Sequence, residues 1–130
     1  MASLLIQKKP LFGRLHSCLK DYDKSDSVNS FIINGKSAWL DKATRVGLIN
    51  SLNMEKVAGR EMSVLYLNGE KIDISVDDAL QLLVVLELYA KECYVVTEQH
   101  IANVRKMNDI GRIHNYRFDV GYPEKPKFVI

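Results

Sequence analysis

Cysteine, tryptophan and proline are scarce in this sequence, with two, one and three copies among 130 residues. Cys18 and Cys93 lie far apart, and Cys93 falls within an apolar helical pattern. Isolated cysteines are usually packing residues, so we expect one buried cysteine, one free thiol and no disulfide framework. The 18 basic and 16 acidic residues leave a net charge of +2. Because the basic residues form no stripe, we expect no nucleic-acid partner.

The sequence also lacks a long hydrophobic run. Its longest apolar stretch, Ala79 to Tyr89, is interrupted by Gln81 and Glu87. That stretch is well short of the ~20 residues that span a bilayer. A short apolar run, Ala2 to Ile6, has neither the charged start nor the length of an export signal. These absences predict a soluble protein, made in a reducing cytoplasm, that does not insert into membranes.

Recognisable catalytic and metal-binding motifs are absent as well. His16, His100 and His114 share no motif spacing with one another or with the cysteines, whereas zinc needs three or four ligands. Asp77 and Asp78 suit the start of a helix. The seven glycines occur singly, which excludes a glycine-rich phosphate loop, and no nucleophile elbow is present. The sequence therefore predicts a non-enzymatic protein without a metal or cofactor, and a small-molecule ligand is not expected.

What is present is the composition of one globular domain, with 47% hydrophobic residues. At the start of the chain, Ala2 to Gln7 could form a strand that ends at Pro10. We interpret residues 1–20 as an arm or partner-contact segment. From Asp21 to Asn29 the composition shifts to residues that favour turns, so we place a boundary there and assign residues 21–130 to a single α+β domain.

Two Asn-Gly pairs, each set between β-prone runs, predict two β-hairpins, because Asn-Gly is the preferred pair for a type I′ turn. The first hairpin covers Ser30–Leu40, with Asn34-Gly35 at its turn. The second covers Val64–Ile74, with Asn68-Gly69 at its turn. One face of the second hairpin should be solvated; its residues are Lys71, Asp73 and Ser75.

Between the hairpins, Asp41 is suited to cap a helix that runs to about Ala58, and Gly59 is suited to end it. The spacing predicts an inward face containing Val46, Ile49, Leu52 or Asn53, and Val57 or Lys56.

A second helix, from about Val76 to Lys106, dominates the sequence, because apolar residues recur there at steps of three and four. Ser75 and Asp78 resemble a capping box at its start. At ~1.5 Å per residue it would be about 45 Å long, against a diameter of about 36 Å for a compact chain of this size. We therefore expect one end to protrude or to meet a partner.

After the long helix, Asn108 to Asn115 could form a short helix, and Tyr116 to Val120 alternates as a strand does. Lys127 to Ile130 reads as a final apolar strand that pairs with a sheet of this chain or of a neighbour. The predicted fold is α+β: an antiparallel sheet from two hairpins and terminal strands, packed on two helices.

Six segments of the chain form a recognisable set: Ser27–Phe31, Asn34-Gly35, Trp39–Lys42, Thr44–Leu48, Leu88–Ala90 and Val120–Pro123. Together they resemble a domain family of unknown function found in bacteriophage and prophage proteins, often beside tail-fibre or tail-fibre-assembly regions and notably in phages of Bacteroides-type gut bacteria. The resemblance covers about Asp21 to Ile130. It implies a component of a virion or of virion assembly, made in the cytoplasm of the bacterial host, and supplies no active site.

These observations together predict a structural virion protein of the tail, collar, fibre or head that acts by contacting other virion proteins in a homo- or hetero-oligomer. Two alternatives stay open: an assembly chaperone for tail fibres and a small phage-encoded regulatory binding protein. Trp39 is expected to be an anchor, either in the core or against a partner. The residues predicted to contact partners are Leu4, Leu5, Ile6, Phe12, Trp39, Phe128, Val129 and Ile130.

Overall fold

The structure is a computed structural model that describes residues 2–107 and 109–130, with the side chains of residues 13–107, 109 and 111–130. Its helices and strands, in chain order, are α1 (Ala2–Lys24), β1 (Phe31–Ile33), β2 (Lys36–Ala38), α2 (Lys42–Val57), β3 (Met62–Leu67), β4 (Glu70–Ser75), α3 (Val76–Arg105), α4 (Ile110–His114) and β5 (Lys127–Phe128).

The chain divides into two compact units. Unit 1 consists of Met1–Asn29 and Lys91–Pro123, and unit 2 of Ser30–Ala90 and Glu124–Ile130. The α+β class is confirmed, since unit 2 combines both hairpins with α2 and the first half of α3.

Both predicted hairpins of unit 2 are confirmed. Strand β1 pairs antiparallel with β2, and β3 pairs antiparallel with β4. Positive φ angles at Asn34 and Gly35, and again at Asn68 and Gly69, match the type I′ turn that Asn-Gly favours.

The prediction of one antiparallel sheet is wrong. The hairpins belong to two separate sheets, a three-stranded sheet in the order β2-β1-β5 and a two-stranded sheet of β3 and β4. Strand β5 also runs parallel to β1. The long stretch of chain between β1 and β5 permits this direction, because a parallel pair needs a long connection and an antiparallel hairpin does not.

Helix α2 starts as predicted, with the Asp41 carboxylate accepting a hydrogen bond from the Thr44 amide at 2.8 Å. The predicted inward face is confirmed in part. Leu52 is buried and Ile49 packs against the core, as predicted, whereas Val46 and Val57 are exposed and Arg45 is buried. The prediction counted only apolar residues and therefore placed Val46 on the inward face. In the structure the adjacent residue, Arg45, is the buried one at this turn of the helix.

Helix α3 confirms the long helix, and at its start the Asp78 amide donates to the Ser75 hydroxyl at 3.0 Å. Its two halves belong to different units. Leu83 and Leu86 are buried in unit 2, and Ile101 and Val104 are buried in unit 1. Each half of the helix is therefore buried within a unit of its own, and the expectation that one end protrudes or meets a partner stays a prediction.

The N-terminal segment of unit 1 is helical, so the strand predicted over residues 2–7 is wrong. Helix α1 continues through Pro10 to Lys24. A proline inside a helix removes one backbone hydrogen bond and disfavours the helix locally. For this reason Pro10 was predicted to end a segment rather than to lie within a helix. Further along the helix, Leu19 is buried.

The predicted short helix is confirmed as α4, with Asp109 as its N-cap. The strand predicted over Tyr116–Val120 is wrong, since this segment is irregular. In this segment Arg117 and Asp119 are both exposed, and a terminal guanidinium nitrogen of Arg117 lies 2.9 Å from a carboxylate oxygen of Asp119. The hydrogen bond from Arg117 lowers the pKa of Asp119. Alternation predicted a strand correctly only where a neighbouring strand was available to pair with it.

The thiol of Cys18 is exposed and that of Cys93 is buried, as expected, and neither forms a disulfide. Within the described part of the chain, no helix combines the length and the apolar character needed to cross a membrane.

Candidate protein-interaction surface

The outward face of β3, in unit 2, is apolar and open. Side chains along a strand alternate between two faces, and here Leu65 and Leu67 are buried in the core. The residues of the other face, Met62, Val64 and Tyr66, are 59%, 41% and 66% exposed. A row of exposed apolar side chains that includes an aromatic ring is the kind of surface found at protein interfaces.

The backbone of β3 is open at the same residues. The Val76 amide donates to the Glu61 carbonyl at 2.9 Å, which makes Glu61 and Val76 a hydrogen-bonded pair of the ladder. Such pairs alternate with non-bonded ones in an antiparallel sheet. It follows that the N–H and C=O groups of Met62, Val64 and Tyr66 point away from β4. No third strand joins this sheet within the described residues.

The neighbouring strand β4 differs in chemistry on the same face. Lys71 lies opposite Tyr66, and Asp73 lies opposite Val64. Both charged residues are exposed, as the sequence predicted, and Ser75 is half-buried. The hairpin therefore presents one charged strand and one uncharged strand side by side.

The N-terminal residues predicted to contact partners are Leu4, Leu5, Ile6 and Phe12. All four belong to α1, and their side chains lie outside the described residues. Their role as partner contacts stays a prediction.

Trp39 is half-buried and packs against the core of unit 2. Its ring lies 6.5 Å from that of Phe31 and 6.2 Å from that of Tyr89, and the Arg45 guanidinium lies 5.1 Å from its centroid. Trp39 was expected to be an anchor either in the core or against a partner, and the structure describes its packing against the core.

Phe128, Val129 and Ile130 follow one another but differ in burial. The Phe128 ring packs edge-on against that of Phe31 at 5.7 Å, whereas Val129 and Ile130 are 93% and 48% exposed. An open groove of about 360 Å³ lies beside them, with Ile74, Leu82 and Asp78 among its lining residues. Val129 and Ile130 thus form a second exposed apolar patch on unit 2.

Polar and titratable side chains are clustered in two other places, and in each place they are joined by hydrogen bonds. In unit 1, His100 is buried with Nε2 at 2.7 Å from the Val120 carbonyl oxygen. A carbonyl can only accept, so Nε2 donates to it, and in the neutral imidazole Nδ1 accepts from the Tyr116 hydroxyl. Both ring nitrogens are therefore occupied in holding the segment that follows α4.

Thr97, also in unit 1, links two further groups. Its buried hydroxyl donates to Asp23 Oδ1 at 2.8 Å and lies 2.7 Å from the Tyr122 hydroxyl, which must then be the donor. The Tyr122 ring packs against those of Tyr22 and His100. Burial raises the pKa of Tyr122. This cluster can position a chain segment firmly.

Arg45 is the buried charge of unit 2. Its Nε donates to Glu87 at 2.6 Å, and one terminal nitrogen donates to the Leu40 carbonyl at 2.6 Å. Together with Trp39, these contacts tie the start of α2 to α3. Among the described residues, no group of three or more His, Cys, Asp or Glu side chains could hold a metal ion.

Comparisons of this chain with protein-family models, with curated proteins and with solved structures return no match.

The open face of β3 was missed at the level of sequence, although a signal for it exists. The predicted strand began at Val64, so Met62 was not included, and the outward face was judged from β4 alone. Extending the alternation back to Met62 gives three apolar residues that share a face with Lys71 and Asp73. Only the structure shows that nothing within unit 2 covers them.

Proposed function

We propose that this chain is a non-enzymatic structural component of a bacteriophage virion, part of the tail, collar, fibre or head, that acts through protein–protein contacts. The observation that carries the proposal is the open face of β3, where Met62, Val64 and Tyr66 are exposed and their backbone N–H and C=O groups point away from β4. Large exposed apolar patches on folded chains mark interaction sites. The virion setting is supported by the sequence resemblance.

The second patch adds to this support. Val129 and Ile130 lie beside a groove with apolar walls at Ile74 and Leu82. A protein with two exposed apolar patches on one unit is suited to contact more than one neighbour, as a subunit of an assembly does. The polar clusters around His100 and Arg45 hold chain segments together, which is a structural role.

The experiment is mass spectrometry of purified particles from the phage or prophage that encodes the chain. We expect the chain at a constant ratio to other virion proteins. Absence from finished particles would contradict the proposal, and if particle yield still depended on the gene, the chaperone alternative would replace it. A chain that is absent and dispensable for assembly would favour the regulatory binding protein.

A matched pair of variants links incorporation to the surface. Val64→Lys puts a charge on the open face opposite Asp73, which favours the hairpin itself. Val46→Lys makes the same change at a valine of similar exposure on α2, 45% against 41%. We expect Val64→Lys to reduce incorporation at least tenfold and Val46→Lys to leave it unchanged, and equal incorporation of both would exclude the β3 face as the contact.

A further inference from the structure

The edge strands of unit 2 differ in how they are protected. A free edge offers unpaired backbone groups to any other strand, and proteins usually block it with lysine, other charges or proline. Strands β2, β4 and β5 lie at sheet edges, and each contains a lysine: Lys36, Lys71 and Lys127. Strand β3, six residues long, has no charge and no proline. It is the unprotected edge among the described strands.

The backbone direction of β3 fixes how another strand can join it. The outward N–H and C=O groups belong to Met62, Val64 and Tyr66, as the Val76-to-Glu61 hydrogen bond requires. A second β3 in antiparallel orientation can use all of these groups in one register only, with Val64 opposite Val64 and Met62 opposite Tyr66. Three bonded pairs then form, which is about six hydrogen bonds.

The side chains agree with this register. Directly opposed residues of an antiparallel pair point to the same face. The thioether of Met62 therefore meets the ring of Tyr66 from the other copy on both sides of the two-fold axis, a favourable sulfur–aromatic pair. At the axis two valines meet. Since Met62–Leu67 has no charged residue, no like charges are opposed when two identical strands pair.

We propose that β3 pairs antiparallel with β3 of a second copy of this chain about Val64, so that two hairpins become one four-stranded sheet in the order β4-β3-β3-β4. This inference deepens the proposed function and rests on it for its biological setting. A single strand pair buries on the order of 1,000 Å² in total, at the low end for specific complexes. The dimer is therefore reversible, with a dissociation constant of the order of micromolar or weaker.

The first test is molar mass by light scattering, from about 1 µM to about 1 mM of the full chain. We expect the mass to rise from 14.8 kDa toward twice that value. Val64→Pro removes an outward N–H and leaves the ladder to β4 intact, so it should hold the mass at the monomer value. Asp73→Pro is the matched control, because the N–H of Asp73 points to the free edge of β4. A chain that stays monomeric up to 1 mM overturns the proposal, as does equal dimerisation of both variants.

The second test reads the register directly and keeps the proposal testable if proline disturbs folding. In a background with the exposed Cys18 changed to serine, Val64→Cys places two thiols in a directly opposed pair, about 5.5 Å apart at Cα and within disulfide range. We expect oxidation to crosslink Val64→Cys at least tenfold faster than Met62→Cys, whose equivalent residues lie about four residues apart along the strands. Equal rates would exclude this register.

The two proposals can fail separately. A chain that enters particles at a constant ratio but never crosslinks at position 64 contradicts the β3 pairing and keeps the virion role. A chain that dimerises about Val64 but is missing from particles contradicts the virion role and keeps the pairing.

Discussion

Both units contain a C-terminal segment without much regular structure, yet they hold it by different means. In unit 2, residues 124–130 are held by backbone bonds, with the Ile32 amide donating to the Pro126 carbonyl and the Asn34 amide to the Phe128 carbonyl, each at 2.9 Å. In unit 1, residues 116–122 are held by side chains, chiefly those of His100 and Thr97.

The difference determines how each unit responds to substitution. Backbone bonds form with almost any side chain present, so the cohesion of unit 2 depends mainly on its apolar core, which includes Phe31, Leu83 and Leu86. Side-chain bonds depend on particular atoms, and a buried polar group that loses its partner is costly. Unit 1 should thus be sensitive at a few polar positions, and unit 2, apart from its buried Arg45, at its aliphatic ones.

The largest expected effect comes from Leu86→Ala in unit 2. Leu86 is fully buried, and removing a buried leucine side chain costs about 2–5 kcal/mol of unfolding free energy. Leu88→Ala is the control, since Leu88 lies on the same helix but is 59% exposed, and it should change stability by about 0.5 kcal/mol or less. Urea unfolding followed by fluorescence of Trp39, the single tryptophan, reports on unit 2. Equal costs for the two variants would show that the aliphatic core does not hold this unit.

A smaller effect is expected from Thr97→Val in unit 1. Valine keeps the shape but removes the hydroxyl between Asp23 and Tyr122, and the unpaired groups should cost about 1–3 kcal/mol. Thr97→Ser keeps the hydroxyl and loses one methyl group, about 0.8 kcal/mol. Circular dichroism during urea unfolding measures both. A valine variant as stable as the wild type would remove the contrast between the units.

The smallest effect is a pH dependence that sharpens the same contrast. Burial in unit 1 raises the pKa of Tyr122 above its usual value of 10.0, so the folded state holds its proton where the unfolded state loses it. The contribution of Tyr122 to the free energy of unfolding is therefore fully present below pH 10. It is lost as the pH rises through the pKa that Tyr122 has in the folded state. Unfolding free energies from pH 8 to pH 12 should therefore fall more steeply for the wild type than for Tyr122→Phe. If the unfolding free energies of the two proteins fell in parallel with pH, the pKa of Tyr122 would not be raised by folding.

The elements that local signals specify could be predicted from the sequence. The Asn-Gly turns, the Asp41 cap and the apolar periodicity of α3 each depend on residues close together in the chain, and all are observed. Residues 2–7 were predicted as a strand that ends at Pro10, whereas α1 continues through Pro10. The parallel direction of β5 depends on contacts about 95 residues apart, which a local reading cannot supply.

The candidate surface was predictable in part. Val129 and Ile130 were expected to contact partners, and they are exposed apolar residues in the structure. The face of Met62, Val64 and Tyr66 was missed because the exposure of an apolar strand residue depends on what packs over it. The alternation of residues along a strand is the same whether a face is covered or exposed.

Residue-resolved amide hydrogen exchange at low and high protein concentration tests the central claim, assembly through β3, most directly. The amides of Ser63 and Leu65 point toward β4 and should be protected at every concentration. The amides of Met62, Val64 and Tyr66 point outward, and we expect them to exchange rapidly in dilute solution and to become protected as concentration rises. Rapid exchange of these three amides at all concentrations would contradict the account.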